Sequence, residues 1–262
     1  MAISGSPTII IIVSIYILLL LFIGLWGRKG SKDIEGYYVA GKQLPAYVIA
    51  FSSNATGESA WLLLGLTGMS YLVGFHALWI VMGEVLGVAL AWAVVARPFK
   101  KETDRFASIT IPDYLEDRFE DRAHVLRILS VIIIFSMAAF YIAAQLTASG
   151  KAFESFLGIS YEAGVLIGAA IVLYYTTVGG LRAVAYSDLL QGILMVLCLI
   201  ALPIIGIKAA GGWSSMLDTL LSQDPTLLEP FGSFGFSPAG IASALGFLGI
   251  GLVPGDCAEP EA

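Results

Sequence analysis

Charged side chains are scarce in this sequence, at 13% of its 262 residues, about half the share of an ordinary soluble domain. With 58% of the residues hydrophobic, the chain has too little polar surface to coat a water-soluble globule. Cysteine is nearly missing too. Cys198 falls inside an apolar run and Cys257 near the end, which excludes a disulfide framework and any cysteine metal-ligand spacing; Cys198 reads as a small hydrophobe in the lipid phase. Nucleotide-binding glycine loops, a nucleophile elbow and a zinc-protease helix are also absent. Their absence argues against ATP-driven transport by this chain alone and against enzymatic chemistry, and nothing points to nucleic acid or an organic cofactor. The N-terminus lacks the basic leader and small-residue cleavage site of a signal peptide, so it is expected to stay as a span.

What is present is long apolar runs. Stretches without charge cover Met1 to Gly27, Ile128 to Gly150, Ala163 to Leu181, Leu189 to Ile207 and Pro230 to Gly255. Each is long enough to cross a hydrocarbon layer, which takes ~20 residues as a helix. Between Gln43 and Ala96 only Glu58 and Glu84 interrupt the run, leaving room for two more spans joined by a turn near Tyr71 to Phe75. Backbone groups in lipid must be satisfied within their own segment, so the expectation is an all-α integral membrane protein with about seven transmembrane helices. A membrane barrel would show ~10-residue alternating segments, and none is visible.

The basic residues set an orientation that the net charge of −6 does not. Twelve of the fourteen Lys and Arg fall in the loops after the first, third and fifth spans, and only Lys151 and Lys208 lie on the opposite side. The positive-inside rule makes the crowded side cytoplasmic, which predicts a multi-pass protein of the inner-membrane transporter type with its N-terminus outside. The soluble parts are a cytoplasmic segment over 100–127 and an external one over 211–236 with turn-forming Gly and Pro. In the first, Thr110-Ile-Pro-Asp113 reads as a helix start with Pro112 in the first turn. Residues 253–262 are acidic and patternless, the expected mark of a truncated end to a seventh span that begins near Ser237.

The most informative stretch is Ser52-Ser-Asn-Ala-Thr-Gly-Glu-Ser59, halfway along the span from Leu44 to Leu66. An acidic side chain at mid-membrane costs ~2.5 to 3.5 kcal/mol on insertion scales, so Glu58 is expected to face protein, water or an ion. Gly57 costs a helix about 1 kcal/mol against Ala, and the hydroxyls beside it also weaken continuity. Unwound backbone at that depth is tolerated where it lines a cavity, and its freed carbonyls are hard oxygen ligands for Na⁺ or H⁺. Asn54, Ala55, Thr56, Gly57, Glu58 and Ser59 are therefore candidate site residues. Close helix packing is the alternative, since small polar residues commonly mediate it, and it is the preferred one for Ser52 and Ser53.

Trp61, one turn past the break, either closes over a solute or packs. Glu84, inside the third span, is either a site residue or a partner for a hydroxyl. Tyr141 and Gln145 lie four apart on the fourth span and share a face suited to lining one cavity, although interhelical hydrogen bonding explains them nearly as well. After the fifth span comes Gly179-Gly-Leu-Arg-Ala-Val-Ala-Tyr-Ser-Asp-Leu-Leu-Gln191. Its double Gly predicts a tight turn. Ser187-Asp188 is read either as a cap of the sixth helix or, for Asp188, as an acid on an ion pathway.

These residues, together with Gly41-Lys-Gln-Leu44, Ser59-Ala-Trp-Leu-Leu-Leu-Gly65, Ile111-Pro-Asp-Tyr-Leu115, Arg118-Phe-Glu-Asp121 and Phe153-Glu-Ser155, give the chain a resemblance to the sodium:solute symporter family over roughly residues 1–252. The resemblance implies the first half of a five-plus-five inverted-repeat fold of the leucine-transporter type, with one extra N-terminal helix. Residues 1–37 would be that helix and a cytoplasmic link, and 38–210 the first five-helix repeat. Residues 211–262 would be an external loop, the start of the second repeat and the irregular tail. It further implies sodium-coupled symport of a small solute, proline or a related amino acid first among the candidates. The backbone carbonyls of Ala55 and Glu58 would be sodium ligands, Ser59, Ala60, Trp61 and Tyr141 would lie near the solute, and Asp188 on the ion route. One departure stands out, because Gly57 occupies the place of the family's aspartate. A membrane solute sensor on the same fold and a non-functional truncated fragment are the rival readings.

Overall fold

The computed structural model describes residues 7–30, 33–57 and 59–252; the expected irregular tail, with Cys257, lies outside them. The described residues are almost entirely helical: α1 Pro7–Gly27, α2 Ile34–Val39, α3 Ala46–Gly57, α4 Thr67–Val73, α5 Leu78–Leu90, α6 Arg97–Phe106, α7 Ile111–Phe119, α8 Val125–Leu157, α9 Tyr161–Ala209, α10 Trp213–Gln223 and α11 Pro238–Leu252. Two wide π-helical turns, Trp61–Leu66 and Ala91–Ala96, lead into α4 and α6.

Among the described residues, four helical stretches are long and apolar enough to cross a membrane, namely Pro7–Gly30, Leu64–Phe106, Val125–Leu157 and Tyr161–Ala209, and α11 is a shorter apolar helix. Two of the four contain a break. The 49 residues of α9 would reach about 73 Å at 1.5 Å per residue, more than twice a hydrocarbon layer of ~30 Å. Gly180, at φ 59° and ψ −163°, interrupts it where the double Gly predicts a turn. Gly74, at φ 58° and ψ −134°, ends α4, and the 3₁₀ turn Gly74–Ala77 precedes α5. Both conformations are open only to glycine at little cost. With these interruptions counted, apolar helix occurs among the described residues at each of the seven expected places.

Two readings of the polar segments need adjusting. Thr110 caps α7 as expected, accepting from the Asp113 amide, with Pro112 in the first turn. The 211–236 segment, expected as an external loop with turn-forming Gly and Pro, contains the helix α10, because Trp213, Met216, Leu217 and Leu220 recur at helical spacing. Ser187 and Asp188 do not cap the sixth helical segment. That segment starts after Gly180, so both residues lie inside it, and the Ser187 hydroxyl donates to the Val184 carbonyl.

The large apolar side chains point outward: Ile12, Leu18, Phe22, Phe135, Phe140, Leu173 and Leu199 are all more than half exposed. The buried positions are mostly small. This is the inverse of a soluble core, and it follows from the solvent, because lipid tails offer Leu and Phe as good an environment as another helix does.

The described chain divides into two compact units, one of residues 7–53 and 100–190, the other of 54–99 and 191–252. In the first, α1 approaches the Gly180 break so closely that a Cβ at Gly27 would lie 2.7 Å from that of Ala183, and one at Gly24 would lie 3.0 Å from Tyr175. The Arg182 guanidinium sits over the Trp26 ring at 4.8 Å. A cation near the carbonyl end of α1 also complements that helix's dipole. In the same unit, Lys42 and Lys100 both pair with Asp104, and Arg127 with Asp113 and Glu116.

In the second unit α5 packs on α11. A Cβ at Gly251 would fall 2.0 Å from the Ile80 carbonyl oxygen, and one at Gly83 would fall 2.1 Å from that of Leu248. Because these are backbone atoms, no rotamer change relieves the clash. Gly251→Ala is therefore expected to destabilise the protein by roughly 1–3 kcal/mol through overpacking, read as a lower thermal unfolding midpoint in detergent. Gly246→Ala on the same helix, where nothing lies within 4 Å, should leave the midpoint unchanged or raise it.

Candidate functional site

The polar stretch in the second span does stop being a helix. α3 ends at Gly57, and Ser59 is not helical. The Ser59 amide donates to the Gly57 carbonyl, two residues back, at 2.8 Å. In an uninterrupted helix that donor would serve the carbonyl of Ala55. The helix resumes through Ala60, with φ −56° and ψ −25°, into the π turn Trp61–Leu66. The last four carbonyls of any helix lack intrahelical donors, and here that end falls in the middle of an apolar segment. Glu58 lies outside the described residues.

Around the break, Asn54 and Trp61 are exposed, and Ala55, Thr56, Gly57, Ser59 and Ala60 are half-buried. The Trp61 indole lies against Gly65, where a Cβ would come 2.1 Å from its ring. Gly65 thus makes room for the ring beside the helix. All of these residues from Asn54 onward belong to the second unit. So does Glu84, half-buried on α5 at the contact with α11, where its amide nitrogen faces Gly251.

Tyr141, Gln145 and Asp188 belong to the first unit. Tyr141 is exposed and Gln145 half-buried, four apart on α8 as their spacing implies. Asp188 accepts a 2.7 Å hydrogen bond from the hydroxyl of Ser52. Ser52 is 1% exposed and lies in α3, five residues before the helix ends. The hydroxyl assigned above to packing is therefore bonded to the one acidic side chain assigned to an ion route. No local signal in the sequence pairs two residues 136 positions apart.

His76 is a second residue the sequence does not single out. It is 4% exposed, with Nδ1 2.9 Å from the Pro230 carbonyl oxygen and Nε2 2.9 Å from the Ser243 hydroxyl. A lone His in an apolar run carries no spacing signal, which is why its role is invisible before folding. Among the described residues no group of three His, Cys, Asp or Glu side chains is placed to hold a metal ion. Among the described residues the break offers backbone carbonyls, hydroxyls and the Asn54 amide, hard oxygen donors of the kind that suit an alkali cation.

A profile of the sodium:solute symporter family matches residues 37–255. The chain is similar to the sodium/proline symporters of Salmonella typhimurium and of Escherichia coli K12, each 35% identical over 216 residues, covering 82% of this chain and 43% of the relative. It is also similar to the sodium/proline symporter of Staphylococcus aureus, 33% identical over 228 residues, 86% of this chain and 44% of the relative. The chain thus spans less than half the length of these relatives. A solved structure of a Na⁺-coupled sialic acid symporter in a substrate-bound, outward-open state superposes with a TM-score of 0.74 at 20% identity, covering 90% of this chain and 49% of that one. That likeness shows the fold, an all-α membrane protein of the inverted-repeat type.

Removal of the Ser52 hydroxyl is expected to leave the Asp188 carboxyl short of a donor in an apolar setting. Ser52→Ala should destabilise the protein by roughly 1–3 kcal/mol. In a double-mutant cycle with Asp188→Asn, unfolding measurements should show a coupling of at least about 0.5 kcal/mol; additive effects would mean that the bond contributes nothing.

Proposed function

This chain belongs to the sodium:solute symporter family, and from that premise we propose that it serves sodium-coupled symport of a small solute, with proline or a related amino acid as the first candidate. The observation that carries the proposal is the interruption between Gly57 and Trp61, which turns the Ser59 amide away from the Ala55 carbonyl. A peptide oxygen whose usual helical amide has turned elsewhere, beside the hydroxyls of a polar run inside an apolar span, is the kind of hard donor that suits Na⁺.

In this reading the carbonyls of Ala55 and Glu58 are sodium ligands, with Asn54, Thr56 and Gly57 shaping the break. Ser59, Ala60 and Trp61 serve the solute, as do Tyr141 and Gln145 on α8. Asp188 lies on the ion route and Glu84 is an accessory intramembrane acid. Residues 38–210 form the first five-helix repeat, preceded by the extra helix. The protein resides in a bacterial inner membrane with its N-terminus outside, as the distribution of its basic residues supports.

Sodium would enter down its gradient, aided by a membrane potential worth ~2.3 kcal/mol per charge per 100 mV. Its binding would order the interrupted segment and so raise affinity for the solute, because a ligand shifts an equilibrium only by its differential affinity for the two states. The return of the helix as a π turn supports this, since π segments occur frequently at functional sites.

Uptake of labelled proline into proteoliposomes should be at least about tenfold faster with an inward sodium gradient than with potassium in its place, a factor equivalent to ~1.4 kcal/mol of coupling. Equal rates would reject sodium coupling, and uptake of other amino acids but not proline would reject proline as the solute. Trp61→Ala should raise the KM for the solute by roughly tenfold if one stacking contact of ~1–1.5 kcal/mol is lost. Asp188→Asn should weaken the dependence on sodium more than the dependence on solute.

A further inference from the structure

The segment over 224–237 crosses the second unit in 3₁₀ turns, Pro225–Leu228 and Gly232–Phe234, and one imidazole joins it to two helices. His76 stands in the turn before α5. Its Nδ1 faces the Pro230 carbonyl oxygen, which can only accept, so Nδ1 carries the proton there. Nε2 faces the Ser243 hydroxyl in α11. The same Pro230 oxygen also accepts from the Trp79 indole N–H at 2.8 Å, so both of its lone pairs are engaged from the α5 side.

Two further contacts extend the arrangement. The His76 ring packs against Phe247 of α11, with centroids 4.5 Å apart. At the other end, Gly74, whose positive φ ends α4, lies against the backbone of Leu227, where a Cβ would come 2.0 Å from the Leu227 oxygen. The segment therefore touches the end of α4, the start of α5 and the first half of α11, all within one compact unit.

We infer that residues 224–237 form a strap fastened by His76, a positioning residue that fixes α11 against α5 and ties both to the end of α4, the continuation of the interrupted span. The chemistry suits a fastener. Serine oxygen both donates and accepts, so Ser243 pairs with Nε2 whether that nitrogen carries a proton or not. Nothing in the proposed transport cycle uses His76, Trp79 or Ser243, and the strap stands whether or not the solute is proline.

Hydrogen–deuterium exchange of the full chain in lipid nanodiscs tests the inference without reference to transport. In His76→Ala, amides of residues 224–237 should exchange about tenfold faster than in the parent, the size of effect expected for lost buried hydrogen bonds, while those of α10 remain unchanged. His76→Asn, whose amide nitrogen occupies the place of Nδ1, should restore a good part of the protection. Trp79→Phe and Ser243→Ala, milder changes that decide the matter if His76→Ala does not accumulate, should each loosen the strap less. Unchanged exchange over 224–237 in all of these variants overturns the inference. So does an acceleration shared equally by α10, or a failure of His76→Asn to protect better than His76→Ala.

Discussion

A backbone inside lipid has no water to bond, so each of its amides and carbonyls must find a partner within the protein. That constraint makes the described residues almost wholly helical, and it gives the departures from helix their meaning. A helix that ends at Gly57 in the middle of an apolar segment gives up the regular four-residue pairing of its last carbonyls, and the Ser59 amide turns to the Gly57 oxygen instead. An interruption at that depth is tolerated only where protein, a cation or the water of a cavity completes the backbone bonding. Membership of the sodium:solute symporter family agrees with the proposed cation.

The same solvent decides how the helices pack. Because large apolar side chains gain nothing from leaving lipid, close approach relies on residues that occupy little space. Gly24, Gly27 and Gly179 let α1 meet the region of the Gly180 break, and Gly83 and Gly251 let α5 meet α11. Polar contacts between distant segments then select particular partners. Ser52 to Asp188 joins the helix that ends at the break to the segment after Gly180. His76 joins the turn before α5 to a loop and to α11.

Much of the fold was legible in the residues. The seven apolar stretches, the turn at Gly179-Gly180, the start of α7 at Thr110 and the break near Gly57 all follow from local signals: length of run, backbone freedom, a capping side chain and polar groups at depth. The helix α10 was missed because its periodic apolar residues are few and sit among Gly, Ser and Asp. The capping role considered for Ser187 and Asp188 failed for a related reason. The sixth helical segment begins directly after Gly180, so a pattern that looks like a start occurs in its interior.

By itself, then, the sequence determined what each segment must do to survive in lipid: span it, bend where glycine permits, or break where polar groups make a continuous helix unfavourable. Those are properties of neighbours along the chain, so they can be read from it. Only the tertiary structure decided that Ser52 bonds Asp188 rather than merely packing, that His76 holds Pro230 and Ser243, and that Gly251 lies on the Ile80 backbone. Such pairings link positions more than a hundred residues apart, and their energy exists only once the helices have come together, so no local periodicity or propensity encodes them.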